Sequence, residues 1–211
     1  MKVVCLGDSL TFGYELAHED KWVTLAAEAS GHQLLNRGVN GDTTGGMLAR
    51  LQRDVLDHNP QLLLVTGGGN DLMAGDDSAG ARANLSAIVQ QARSRGLRAL
   101  IATLPPLALE RLRPDWAGLT DFPRLELRLS EYVQWQRLFA RTFGFTLVDF
   151  RSLFDKGDGA PPDPALYLDG LHLGPEGNRL MAGEVVRVLK MIEQENGARP
   201  QGTSARQTAS T

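Results

Sequence analysis

Continuous aliphatic runs closed by glycine-rich turns are the strongest constraint on this chain. Leu62-Leu63-Leu64-Val65 offers no polar side to solvent and stops abruptly at Thr66-Gly67-Gly68-Gly69-Asn70-Asp71. A strand that is apolar on both faces must be covered on both, as central parallel strands are. Val3-Val4-Cys5-Leu6 reads the same way and runs into Gly7-Asp8-Ser9-Leu10-Thr11-Phe12-Gly13. Shorter strands are expected at residues 33–36, 98–104 and 145–149, the fourth broken by Pro105-Pro106.

Between these runs the apolar residues return at helical spacing. Trp22, Val23, Leu25, Ala26 and Ala29 mark a helix over 21–30, stopped by Gly31. Met47, Leu48, Leu51, Val55 and Leu56 mark one continuous helix over 44–57, ahead of the Asn59-Pro60 turn. Further helices are expected over 78–95, 129–143 and 175–195, with Pro175 suited to a first turn. Residues 107–128, with Pro114 and Pro123, read as irregular chain over the sheet edge, and 155–165 as loop. Five strands alternating with helices predict an α/β protein, a three-layer α/β/α sandwich around a five-stranded parallel sheet. Right-handed crossovers then bring every strand-to-helix loop to one edge. The 211 residues suffice for one domain, assigned to 1–195; the polar stretch 196–211 has no apolar period and is expected to be a disordered tail.

A net charge of −3, with arginines scattered among acids, excludes a basic footprint for nucleic acid. The single cysteine, Cys5, falls inside a strand and reads as a buried thiol, which suits a reducing compartment. No leader pattern precedes the first strand and no run of about 18 apolar residues occurs, so the expectation is a cytoplasmic protein without membrane insertion. Nothing in the pattern demands a second subunit.

Ser9 stands where a strand gives way to a loop, the place where open α/β sheets bind ligands. Serine also caps helices well, so the residue alone leaves two readings. A serine nucleophile needs a base. Of the four histidines, His18, His32 and His58 sit at polar or helix-end positions, whereas His172 follows Asp169 by three residues across Gly170. That spacing lets a carboxylate orient one ring nitrogen while the other faces a serine, although both residues also fit as caps. Donors for a developing oxyanion are available in the Gly38 backbone after the second strand and in the Asn70 side-chain amide, each of which also fits a turn.

Taken in order, Gly7-Asp8-Ser9-Leu10, Gly38, Gly68-Gly69-Asn70-Asp71 and Asp169 with His172 resemble the successive motif blocks of the GDSL/SGNH hydrolase family, over residues 1 to about 190. The likeness is to small bacterial acylhydrolases of the thioesterase and lysophospholipase type. It implies a flavodoxin-like fold and a serine esterase acting on small-molecule esters or thioesters through an acyl-enzyme. It further implies Ser9 as nucleophile, His172 as base and Asp169 as orienting acid. Oxyanion donors would be the Ser9 and Gly38 N–H groups and the Asn70 side chain, with Asp8 and Asp71 holding loops. An acyltransferase using the same acyl-enzyme, or a silent carbohydrate- or lipid-binding module, shares these motifs. Dinucleotide and P-loop glycine motifs, His-Glu-x-x-His and His/Cys clusters are absent, so no cofactor or metal is expected. Leu107, Leu109, Leu112, Trp116, Leu119 and Phe122 supply either an acyl groove or ordinary core.

Overall fold

A computed structural model describes residues 1–75, 78–116, 118–155 and 160–197. Strands β1 (Lys2–Gly7), β2 (Gln33–Gly38), β3 (Leu62–Thr66), β4 (Arg98–Ala102) and β5 (Thr146–Val148) form one sheet in the order β2-β1-β3-β4-β5. Every pair is parallel. The register aligns Gly7 with both Gly38 and Thr66, so the first three strands end side by side. After β1 the chain leaves toward β2, and after β3 it leaves toward β4. The crevice of such a sheet opens at that reversal, between β1 and β3.

Period-two alternation divides the core. Val4, Leu6, Leu63, Val65 and Ile101 face one helical layer; Val3, Cys5, Leu64, Leu100 and Val148 face the other. The first layer holds α3 (Thr44–Ala49), α4 (Leu51–Asp54), α6 (Ala79–Ser94) and α7 (Phe122–Phe143), which contribute Met47, Leu51, Leu85, Ile88, Leu129 and Tyr132. The second holds α2 (Trp22–Ser30) and α8 (Pro175–Gly197), which contribute Trp22, Val23, Ala26, Val185 and Leu189. Two short helices, α1 (Ser9–Phe12) and α5 (Gly69–Ala74), follow directly on β1 and β3. The expected three-layer sandwich is therefore the fold. Cys5 is buried, and burial pushes its thiol pKa up.

Three local expectations change. The continuous helix over 44–57 is broken at Arg50 (φ −101°, ψ 6°) and Val55 (φ −124°, ψ −64°). Arg50 turns its guanidinium onto the Gly7 and Arg37 carbonyls at 2.8 and 2.9 Å and onto the Asp42 and Asp54 carboxylates at 2.8 and 3.0 Å. Those charge-assisted bonds replace the helical ones lost at the break, and Met47, Leu51 and Val55 stay buried through it. Helix α7 begins at Phe122 rather than 129, because Asp121 caps it through the Arg124 N–H at 3.0 Å and Pro123 falls in the first turn, where its missing N–H costs nothing. Helix α5 was not expected; it places Asn70 on a first turn. Helix α8 continues to Gly197, through the first two residues of the expected tail, and 198–211 lie outside the described residues. Within the expected loop 155–165, residues 156–159 also lie outside them. No helix among the described residues is long and apolar enough to cross a membrane.

Two features of this packing are testable. Helix α1 lies so close over β2 that a Cβ on Gly38 would stand 2.1 Å from the Phe12 backbone nitrogen. Gly38→Ala is expected to destabilise the protein by on the order of 1–3 kcal/mol, read from urea denaturation; unchanged stability would refute the close approach. Asp8 caps α1 through the Leu10 N–H at 3.0 Å and is 2% exposed. Burial pushes its carboxyl up to about 6, with the Leu10 N–H and His172 opposing the rise and Asp42 adding to it. Between about pH 4 and 6 the folded state thus holds a proton that the unfolded chain has lost, so stability falls as pH rises through that window. The penalty above it is about 3 kcal/mol for a shift of this size. Asp8→Asn is expected to flatten the unfolding free energy between those pH values, and a slope equal to the wild type's would refute this assignment.

Candidate active site

The crevice at the ends of β1 and β3 gathers residues from four separate parts of the chain. Asp8 is the N-cap of α1, which leaves Ser9 as the first helical residue rather than the cap. Its hydroxyl lies 2.8 Å from His172 Nε2. His172 comes from the loop between an isolated bridge, Tyr167 to Leu173, with the Leu168 N–H donating to the His172 carbonyl at 2.8 Å. Within that loop Gly170 takes φ +88°, and a Cβ there would meet the Ala108 carbonyl oxygen and the Leu112 nitrogen at 2.7 Å. Only glycine satisfies both the left-handed backbone and the close approach.

Asp169 turns back inside this loop. Its Oδ2 lies 2.7 Å from His172 Nδ1, and its Oδ1 accepts the His172 and Leu171 N–H groups at 2.7 and 2.9 Å. Burial disfavours its charge, but the His172 ring and these N–H groups outweigh that effect and hold its pKa below the ordinary aspartate value. An ionised carboxylate only accepts hydrogen bonds, so Nδ1 carries the proton and Nε2 is left to accept from Ser9. Ser9, Asp169 and His172 are buried to 8%, 2% and 8% exposure, so these bonds operate largely away from water. The other histidines bond elsewhere: His32 to Glu193 at 3.0 Å and His58 to Arg37 at 2.8 Å, with His18 exposed.

Ser9 and His172 open into a cavity of about 210 Å³. One bank is polar, formed by Asn40, Gly41 and Asn70; the other is apolar, formed by Met73, Trp116, Leu119, Phe122 and Leu171, with Tyr14 beside the serine. The Asn70 amide donates to the Asp42 carbonyl at 2.8 Å, which fixes its plane and leaves its second N–H to be shared. Asp71 accepts from the Thr44 N–H and hydroxyl at 2.9 and 2.6 Å, clamping α5 to the start of α3. Asp8 and Asp71 thus both accept backbone N–H groups at the start of a helix.

Gly38 does not join the others. Its N–H donates to Asn36 Oδ1 at 2.9 Å, and it lines a different hollow, near Phe12 and Lys21. Asn36 is held in turn by donating to the Thr11 carbonyl at 2.7 Å. The expected oxyanion donor is thus committed to the β2 terminus. Gly41 stands in the cavity instead, at φ +74°. The Asn40-Gly41 pair carried the signal for it, since such a pair marks a turn with positive φ. The expected acyl groove also divides: Trp116, Leu119 and Phe122 line the cavity, whereas Leu107 and Leu112 belong to the core and Leu109 is exposed.

Serine hydroxyl, imidazole and carboxylate in line, beside amide donors, are the elements of acyl transfer. Comparison with known proteins agrees. The GDSL-like Lipase/Acylhydrolase family profile matches residues 5–180. Esterase TesA of Pseudomonas aeruginosa is 32% identical over 111 residues, 49% of this chain and 55% of that protein. Thioesterase 1/protease 1/lysophospholipase L1 of Escherichia coli K12 is 31% identical over 125 residues, 58% of this chain and 60% of its own. The alignments with these curated relatives thus span little more than half of their length. Among solved structures, the native M. smegmatis aryl esterase superposes with a TM-score of 0.76 at 20% identity, over 90% of this chain and 98% of its own, a likeness of fold. With the profile covering most of the chain, and with Ser9, Asn70 and His172 lining one cavity, the protein belongs to the GDSL-like lipase/acylhydrolase family.

Proposed function

We propose that this chain is a serine ester hydrolase whose substrate is a neutral ester or thioester with an apolar acyl group, and that residues 1–195 form its catalytic domain. The reading rests above all on the chain of short contacts from Ser9 Oγ to His172 Nε2, 2.8 Å, and from His172 Nδ1 to Asp169 Oδ2, 2.7 Å, at the wall of the cavity. Ser9 attacks the carbonyl carbon as its proton passes to His172 Nε2. The carbonyl oxygen becomes an oxyanion facing the Ser9 N–H, the Gly41 N–H and the Asn70 side chain, with Gly41 in the place that the sequence motif had given Gly38. His172 then delivers its proton to the leaving oxygen or sulfur, which departs and leaves Ser9 acylated. Water, deprotonated by His172, releases the acid. Asp169 stays ionised throughout and steadies the imidazolium.

The acyl group belongs on the apolar bank of Met73, Trp116, Leu119, Phe122 and Leu171. Among the described residues lining the cavity there is no Asp, Glu, Lys or Arg, so a charged group at this position would be desolvated without a partner. An alcohol that enters in place of water would turn the same acyl-enzyme to acyl transfer.

Labelling with a fluorophosphonate, followed by peptide mass spectrometry, tests the nucleophile. A single adduct on Ser9 is expected, lost in Ser9→Ala and suppressed in His172→Ala; no adduct on the folded wild type would overturn the reading and favour a binding module. Asn70→Ala is expected to lower kcat by about 10² to 10³ with KM little changed. A rise in KM at constant kcat would remove Asn70 from the oxyanion role.

A further inference from the structure

The two hydrogen bonds on His172 act at its two ring nitrogens, whose N–H and lone pair point along the ring plane. They set the ring's position along the line from Asp169 to Ser9 but resist tilting about that line only weakly, since hydrogen-bond energy falls slowly over small angles. The ring faces need packing. Tyr14 supplies it on one side, with centroids 4.3 Å apart and planes inclined by 32°. Trp116 meets the ring nearly at right angles, 81°, with centroids 6.0 Å apart. Both distances fall in or at the close edge of the range of aromatic pairing.

The two aromatic residues come from distant parts of the chain and are tied together on their solvent side. Tyr14 follows the left-handed Gly13, and its N–H bonds the Ser9 carbonyl at 3.2 Å. The next residue, Glu15, takes φ +56°, a conformation unusual for a non-glycine, and its carboxylate pushes the Tyr14 hydroxyl pKa up. Arg113 lies 3.9 Å from Glu15, packs over the Trp116 ring at 5.3 Å and pairs with Asp115 at 2.9 Å. Contacts thus run from Tyr14 through His172, Trp116 and Arg113 to Glu15, the residue next to Tyr14. Trp116 also forms part of the apolar wall.

We propose that Tyr14 and Trp116 are positioning residues that pack against the His172 imidazole and hold its plane for proton exchange with Ser9. The inference rests on the hydrolase reading above. The π face of Tyr14 favours the imidazolium formed during turnover over the neutral ring of the resting state, so its contribution falls on the chemical step. Trp116 adds a second consequence: an acyl group seated against it presses on the same ring that takes the proton.

Active-site titration with a fluorophosphonate in wild type, Tyr14→Phe, Tyr14→Ala and Trp116→Ala, followed by kcat and KM per labelled site on a neutral aryl butyrate, tests this positioning role. Tyr14→Ala is expected to lower kcat per labelled site about tenfold with KM changed by less than about threefold, and Tyr14→Phe, which keeps the ring, to stay within about twofold of wild type. Trp116→Ala is expected to lower kcat and raise KM together. An unchanged kcat per labelled site in Tyr14→Ala, with only the labelled fraction or the melting temperature reduced, would overturn the proposal. Equal loss in Tyr14→Phe and Tyr14→Ala would overturn it as well, by moving the effect to the hydroxyl. Either result leaves Ser9 labelling in the wild type intact, whereas absence of wild-type labelling overturns the hydrolase reading itself and the positioning role with it.

Discussion

The in-register ending of three parallel strands underlies everything else at this site. Gly7 pairs with Gly38 on one side and Thr66 on the other, so the chain leaves the sheet at three adjacent points and at one level. Backbone hydrogen bonds set that level, and they tolerate no slip, because a shift of one residue would turn Val4 and Leu6 toward the opposite helical layer. The serine and amide donors need no long-range search to meet; the ladder delivers them.

Arg50 converts the alignment of strands into an alignment of loops. Its guanidinium holds the Gly7 and Arg37 carbonyls, at the ends of β1 and β2, together with the Asp42 carboxylate. Asp42 in turn holds the Asn70 amide through its backbone carbonyl, and Asp71 holds Thr44 at the start of α3. A buried polar group left without a partner costs more than the average bond gains, so a network of this kind specifies a geometry more than it adds stability. The break in the helix between α3 and α4 is the local cost of bringing Arg50 there.

The loop carrying His172 is held by a different set of bonds. The Ala108 N–H donates to the Gly170 carbonyl at 2.8 Å, and Tyr167 donates to the Pro106 carbonyl at 2.7 Å. Glu126 accepts the Leu107 N–H at 2.8 Å and is paired with Arg151. The stretch after β4, punctuated by Pro105-Pro106, is therefore a shelf on which the Asp169 loop rests. Rigid support of this sort lets short contacts among Ser9, His172 and Asp169 persist without the residues themselves being strained.

By itself the sequence determined the layers, the strand positions, the Gly31 helix stop, and the short-range spacing of Asp169 and His172. All of these follow from periodicity or from spacing within a few residues, where steric rules act locally. It also carried the family motifs that single out Ser9, Asn70 and the two supporting aspartates. Only the tertiary structure decided which glycine faces the cavity, since Gly38 is pressed against the Phe12 backbone at the end of β2 whereas Gly41, at φ +74°, lines the cavity. Asn36 takes the N–H of the first, and the turn through Asn40 carries the second into the crevice. The helix break at Arg50, the division of the leucines between core and cavity, and the contacts of Tyr14 and Trp116 with His172 were likewise invisible in the sequence. Each depends on contacts between residues far apart in the chain, and such contacts leave no period to read.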